Sequence, residues 1–229
     1  MRLPQCLLLL FLASCQQKPT GTDSIEWLLD FATQRIQPEA QGWQTTSDVG
    51  YQIHVNTGTL TTWRLGLLPC PDKLAWLLLP TAQAHHLEPP DPTSILPHLV
   101  EDLVHPVPHS AGPRLIPKRQ YCQGFWLVSA PPPAQAGLAP RVSLTLQGTW
   151  QKAGKTGKLD VQTWLPDAKL QPVQGLERLE GPGKIHVTRH LDRLFDGVDL
   201  AEAPTNALAW TLLHRLVQDA EWRVEPLGR

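Results

Sequence analysis

Beyond Met1 the chain contains no methionine, so no thioether ligand would survive removal of its first residues. A transmembrane helix is not expected: the leading apolar segment, Cys6 to Ala13 (CLLLLFLA), falls well short of the roughly 20 residues a membrane-spanning helix requires. Charge of one sign is not in excess either, with 20 Lys and Arg against 21 Asp and Glu. This near-neutrality argues against nucleic acid or a strongly anionic surface as partner. HExxH, GxSxG and GxGxxG are all missing, so the familiar hydrolase and dinucleotide signatures are absent, no catalytic residue is assigned, and an enzyme is not expected. The string AGKTGK imitates a phosphate loop, but Gly148 precedes Gly154 by one residue too many. A strand is expected after it, which leaves no helix amino terminus to hold an anion.

What the chain does carry begins at its amino terminus. Arg2 and the short run from Cys6 to Ala13 have the size and order of a signal peptide. The segment ends in Leu12-Ala13-Ser14-Cys15, an aliphatic residue and two small residues before a cysteine. This resembles the lipobox of bacterial lipoproteins. The resemblance implies thioether diacylation of Cys15, cleavage before it and acylation of the new amino terminus, an anchor gaining about 0.8 kcal/mol per buried CH₂. Gln16 is not the aspartate that retains such proteins on the inner membrane, so the class rule points to the outer membrane, facing the periplasm. Residues 1–14 then form the signal peptide, 15–22 a lipidated polar tether and 23–229 a single domain. Because Arg2 is the one charged side chain in residues 1–14, maturation takes the net charge from -1 to -2.

Four cysteines reduce to one pair on this reading, since Cys6 leaves and Cys15 is lipidated. Cys70 and Cys122 remain in an oxidising compartment, where a disulfide is the default. Closing a loop of that size contributes about 4 kcal/mol in the chain-entropy picture. A metal-binding thiol pair is the rival, although neither cysteine sits in a CxxC spacing.

The 23 prolines and 16 glycines disfavour long helices and favour frequent turns. YQIHV (51–55), TLTTWRLGLL (59–68), LAWLLL (74–79), YCQGFWLV (121–128) and KIHVTRHL (184–191) read as short strands. In VSLTLQGTW, Val142, Leu144, Leu146 and Trp150 alternate with Ser143, Thr145, Gln147 and Thr149, giving one core face and one wet face. QKAGKTG turns this strand into KLDVQTW as an antiparallel hairpin with Gly154 and Gly157 in its loop. APPPAQAGLAP (130–140) reads as a proline-rich surface loop. Three helices are expected. One follows a capping box at Asp23 to Glu26, with Trp27, Leu28, Phe31, Ala32 and Ile36 at helical spacing. A second covers Ser94 to Val104, and a third Thr205 to Asp219, whose Leu208, Ala209, Leu212, Leu213, Leu216 and Val217 share a side. A final strand, EWRVEPL, follows. The expected fold is mainly β, an antiparallel β-sandwich with short peripheral helices, including amino-terminal and carboxy-terminal amphipathic ones.

Five histidines, His85, His86, His98, His105 and His109, cluster in a proline-stiffened region. Neutral imidazoles there, with Glu88, make a candidate copper or zinc site; the competing reading is surface histidines in a polar loop. His186 and His190 are about 13 Å apart in an extended strand, too far to share an ion. Trp63, Trp76, Trp126 and Trp150 fit core or sandwich-rim positions better than a sugar platform.

At RQYCQGFWLVSAP, VSLTLQGTW and IHVTRHLDRLFDGVDL, met in that order, the chain resembles bacterial lipoproteins related to the MbnP-like, copper-binding periplasmic family, over roughly residues 50 to 200. The resemblance implies a β-sandwich and a periplasmic binding role, copper included. One departure stands out: after Leu194 to Leu200 (LFDGVDL) the chain continues into Ala201-Glu-Ala-Pro204 and a helix, not a cysteine-rich segment. The expected function is an outer-membrane-anchored lipoprotein that binds a metal or small ligand as accessory to an uptake system. The alternative is a structural or assembly lipoprotein docking on an envelope protein.

Overall fold

Period-two alternation, not helical spacing, governs where the fold begins. From Ile25 to Phe31 the odd-numbered residues Ile25, Trp27, Leu29 and Phe31 are buried, the pattern of a strand with one face in a core. The computed structural model describes residues 21–70, 93–95, 99–130, 142–173, 175–176, 181–203 and 205–227. In it Thr22–Ala32 is strand β1, which replaces the expected amino-terminal helix. The apolar residues of this segment satisfy both periods. Pairing on both edges, with residues 183–190 and 109–117, fixes this segment as a strand, whereas an isolated helix of this length is marginal.

Thirteen strands and one helix make up the described residues. After β1 come β2 (Gln37–Glu39), β3 (Gly42–Thr46), β4 (Gln52–Pro69), β5 (Ser94–Ile95), β6 (Leu99–Asp102), β7 (His109–Pro117) and β8 (Tyr121–Val128). They are followed by β9 (Leu144–Lys152), β10 (Lys155–Thr163), β11 (Asp167–Pro172), β12 (Gly183–His190), α1 (Thr205–Gln218) and β13 (Glu221–Pro226). One sheet has the order β13-β12-β1-β7. Within it β1 runs parallel to β12, from Ile25 opposite Gly183 to Ala32 opposite His190, the exception in an otherwise antiparallel fold.

The second sheet is organised by β4, an 18-residue strand. The Asn56-Thr57-Gly58 stretch, expected to separate two strands, is crossed by a register shift between Val55 and Thr57, so both run as one. β9 and then β8 pair along one edge of β4, and β3, β6 and β5 along the other. β10 extends the sheet beyond β9, and β11 extends it beyond β8. The helix expected from Ser94 to Val104 is instead β5 and β6, with residues 96–98 outside the described set. Leu99 and Val100 stand opposite Thr62 and Thr61 of β4, and Ile95 opposite Leu65. The strands expected at 74–79 and the loop at 130–140 lie, apart from Ala130, outside the described residues.

The two sheets face each other as a β-sandwich. A Cβ on Gly124 of β8 would sit 2.1 Å from the Trp222 ring of β13, so glycine there lets opposite layers approach. Trp27 meets Trp222 edge-on, with centroids 5.7 Å apart. At the centre Arg189 of β12 reaches Glu101 of β6, Nη1 to Oε2 at 2.7 Å and Nη2 to Oε1 at 2.6 Å. Thr62 donates to the same carboxylate at 2.8 Å. Helix α1 occupies its expected place, burying Leu208, Ala209, Leu212, Leu213, Leu216 and Val217 against β10, β11 and β12. The Lys169 ammonium donates to the carbonyls of Gln218 and Ala220, satisfying groups the helix end leaves open.

Candidate binding groove

Strand alternation sends Trp43, Ile53, Val55, Leu146 and Leu159 inward and leaves the outer face of β3, β4, β9 and β10 polar. Register aligns that face in two rows. Gln44, His54, Thr149 and Lys158 stand opposite one another across the four strands, as do Thr46, Gln52, Gln151 and Thr156. Neighbours in a row are close enough to share a ligand. Two cavities open here. One of ≈ 560 Å³ is bordered by Gln52, His54, Thr149, Gln151 and Lys158, with Trp150 and Gly157. The other, ≈ 510 Å³, runs on past Thr46 to Arg35 and Gln37, and both share Gln44 and Gln52.

Most ionisable groups on this surface already hold a partner. His54 Nε2 lies 2.8 Å from Glu39, and Arg35 pairs with Asp196 at 2.7 Å while donating to the Thr46 carbonyl. Gln44 donates to Gln37 at 2.8 Å. The Gln52 and Gln151 amides make no side-chain hydrogen bond among the described residues, so each offers donors and acceptors to a ligand. At one edge Gly157 faces Trp150 across the hairpin, and a Cβ there would come within 2.3 Å of the indole. Gly157 is therefore a strand residue, not the loop residue expected from sequence.

The rim is held by the LFDGVDL segment. Phe195 packs on Trp43, with centroids 6.3 Å apart, and Leu194, Phe195, Val198 and Leu200 are buried. Asp196 accepts from Arg35 and from the Asp48 N–H, Asp48 in turn accepts from the Gly197 N–H, and Tyr51 donates to Asp199. Burial works to raise the Asp196 carboxyl, but Arg35 and the Asp48 amide hold it below the ordinary carboxylate range. The Tyr51 hydroxyl, then the Ala201 N–H, do the same for Asp199.

Cys70 and Cys122 form the expected disulfide, Cα to Cα 4.8 Å. Cys15, His85, His86 and His98 lie outside the described residues. His105 is 70% exposed and bonded to Asp102 at 3.1 Å, and His109 is an exposed residue at the start of β7, opposite Leu29. Among the described residues no group of three histidine, cysteine or acidic side chains could hold a metal ion. His186 and His190 bond separately to Glu225 and Glu221, at 2.9 and 3.1 Å. AGKTGK is a hairpin: Ala153 and Gly154 form its two-residue turn, and Lys155 begins β10. Of the groove residues, Thr149 stands on the face that sequence alternation marks as wet, whereas Gln44, Gln52, His54 and Gln151 escape such reading because their meeting depends on long-range register. Comparison of the chain with protein-family models, with curated proteins and with solved structures gives no match.

Proposed function

We propose that this chain is a lipid-anchored binding protein of the cell envelope, held at the outer membrane through Cys15 and facing the periplasm. It captures a small hydrogen-bonding ligand in the groove on the outer face of β3, β4, β9 and β10. The observation that carries this reading is the placement of the groove relative to the tether. The chain enters the fold at Gly21, whose carbonyl accepts from Lys118, and Cys70 beside the far end of β4 bonds to Gln120. The groove lies at the other end of β4, around Gln52. Seventeen steps of strand separate the two ends, a contour of about 55 Å at roughly 3.3 Å per residue. A lipid on Cys15 would thus attach near the end of β4 remote from the groove.

Cys15→Ala tests the anchor. The variant should appear in the soluble periplasmic fraction, with wild type in the outer membrane carrying acyl mass on Cys15; an unmodified, membrane-free wild type would refute the reading. A second reading, docking on an envelope protein, is favoured by exposed apolar side chains near α1. Trp164 is 69% exposed and Trp210 38% exposed, and Asp167, three residues after Trp164, bonds to His214, on which Trp210 stacks. Cross-linking from position 164 in intact cells should then recover one abundant neighbour; recovery of none would remove this alternative.

A further inference from the structure

We infer that the groove is a site for an uncharged oligosaccharide chain; this deepens the proposed binding role and rests on it. Three features select the ligand class. The first is donor and acceptor duality. Gln44, Gln52 and Gln151 carry amides that both give and receive, and Thr149 and Thr156 carry hydroxyls that do the same. Sugar hydroxyls have this same double character, whereas carboxylates and phosphates only accept and ammonium groups only donate.

The second feature is charge. Arg35 is paired with Asp196, and the Glu39 carboxylate lies 2.8 Å from the His54 imidazole, so these groups already hold partners within the fold. The Lys158 ammonium stands at one end as a single exposed cation, too little to define an anion site. An apolar ligand is equally disfavoured, because the facing side chains in both register rows are polar and would lose hydration without recompense.

The third feature is shape. The two cavities share Gln44 and Gln52 as a common border and together extend across the strands, from Lys158 on β10 to Gln37 on β2. Five strands at about 4.8 Å spacing give a trough roughly 19 Å long, which suits several linked rings better than one compact molecule. Rows of side chains set at strand spacing present hydrogen-bonding groups at regular intervals, as a repeating polymer does. The groove also lies at the end of β4 remote from the point where the chain enters the fold.

The test uses the mature chain with its anchor, in detergent micelles, titrated calorimetrically with chitotetraose, cellotetraose and maltotetraose, and with tetragalacturonate as the acidic counterpart. At least one neutral tetrasaccharide should bind saturably at one site per chain. Gln52→Ala and Gln151→Ala should each weaken it tenfold or more without changing the circular dichroism spectrum, whereas Trp164→Ala leaves it unchanged. No saturable binding of any neutral sugar, binding of tetragalacturonate alone, or binding indifferent to both glutamines would overturn the inference. A thermal shift from free amino acids or nucleosides that vanishes in Gln52→Ala would also overturn it, while leaving the groove a binding site. Loss of membrane attachment in Cys15→Ala is scored separately, so failure of the anchor and failure of the ligand class are distinguishable.

Discussion

Arg189 is fully buried between two layers of apolar side chains, its guanidinium 3.9 Å from the centre of the Phe31 ring and 5.6 Å from that of Trp126. Its charge is tolerable there because Glu101 meets it, Thr62 and the Asp30 carbonyl complete the hydrogen bonding, and the rings offer their π faces. Removing one partner strands the other. Glu101→Ala should destabilise the fold by about 3–5 kcal/mol, read as a drop in urea midpoint; a loss below about 1 kcal/mol would mean that water reaches Arg189. Asp196 and Asp199 act at the same scale. Their carboxyls are held below the ordinary range when folded, so the stability they contribute is complete above the unfolded-state pKa and is lost as pH falls through the folded value. Thermal midpoints of wild type and Asp196→Asn should therefore differ at pH 7 and converge below about pH 3.9. A gap independent of pH would show that ionisation of Asp196 does not hold the rim.

Among the elements, the β9–β10 hairpin is the most local and the most easily read from sequence. Its turn places Ala153 at φ 48° and Gly154 at φ 78°, the left-handed pair of a type I′ turn, in which Asn-Gly is preferred over Ala-Gly. Ala153→Asn should stabilise the protein by about 0.5–1 kcal/mol, measured as a higher urea midpoint with an unchanged slope; no gain would mean that the turn is not the strained point. β1 teaches the opposite lesson. Ile25, Trp27, Leu29 and Phe31 fit a strand, while Trp27, Leu28, Phe31 and Ala32 fit a helix, and only neighbours distant in sequence decide between them. Those neighbours are β7 and β12, the second more than 150 residues away along the chain. β6 was ambiguous for the same reason. Its Glu101 is buried because Arg189 stands opposite in the other sheet.

Across the whole molecule, the Cys70–Cys122 bridge joins the end of β4 to the start of β8, beside the point where the chain enters the fold. With the cysteines 52 positions apart in sequence, loop closure in the unfolded state makes the bridge worth about 4 kcal/mol. The double variant Cys70→Ser/Cys122→Ser should lose about that much in urea unfolding, and reduction of wild type should reproduce it; an unchanged midpoint would mean that the unfolded chain is already compact. Several parts of this architecture were written locally. The disulfide followed from counting cysteines, the wet and dry faces of β9 from alternation, and α1 from a helical stripe after Pro204, because each depends on residues close in sequence or on chemistry with few alternatives. The inward position of Arg189, the continuity of β4 through Asn56-Thr57-Gly58, the parallel pairing of β1 with β12 and the assembly of Gln44, Gln52, Thr149 and Gln151 into one trough belonged to tertiary structure. A strand's alternation says which side chains share a face, but only pairing register says which of them become neighbours, and register is set by the packing of the whole sandwich.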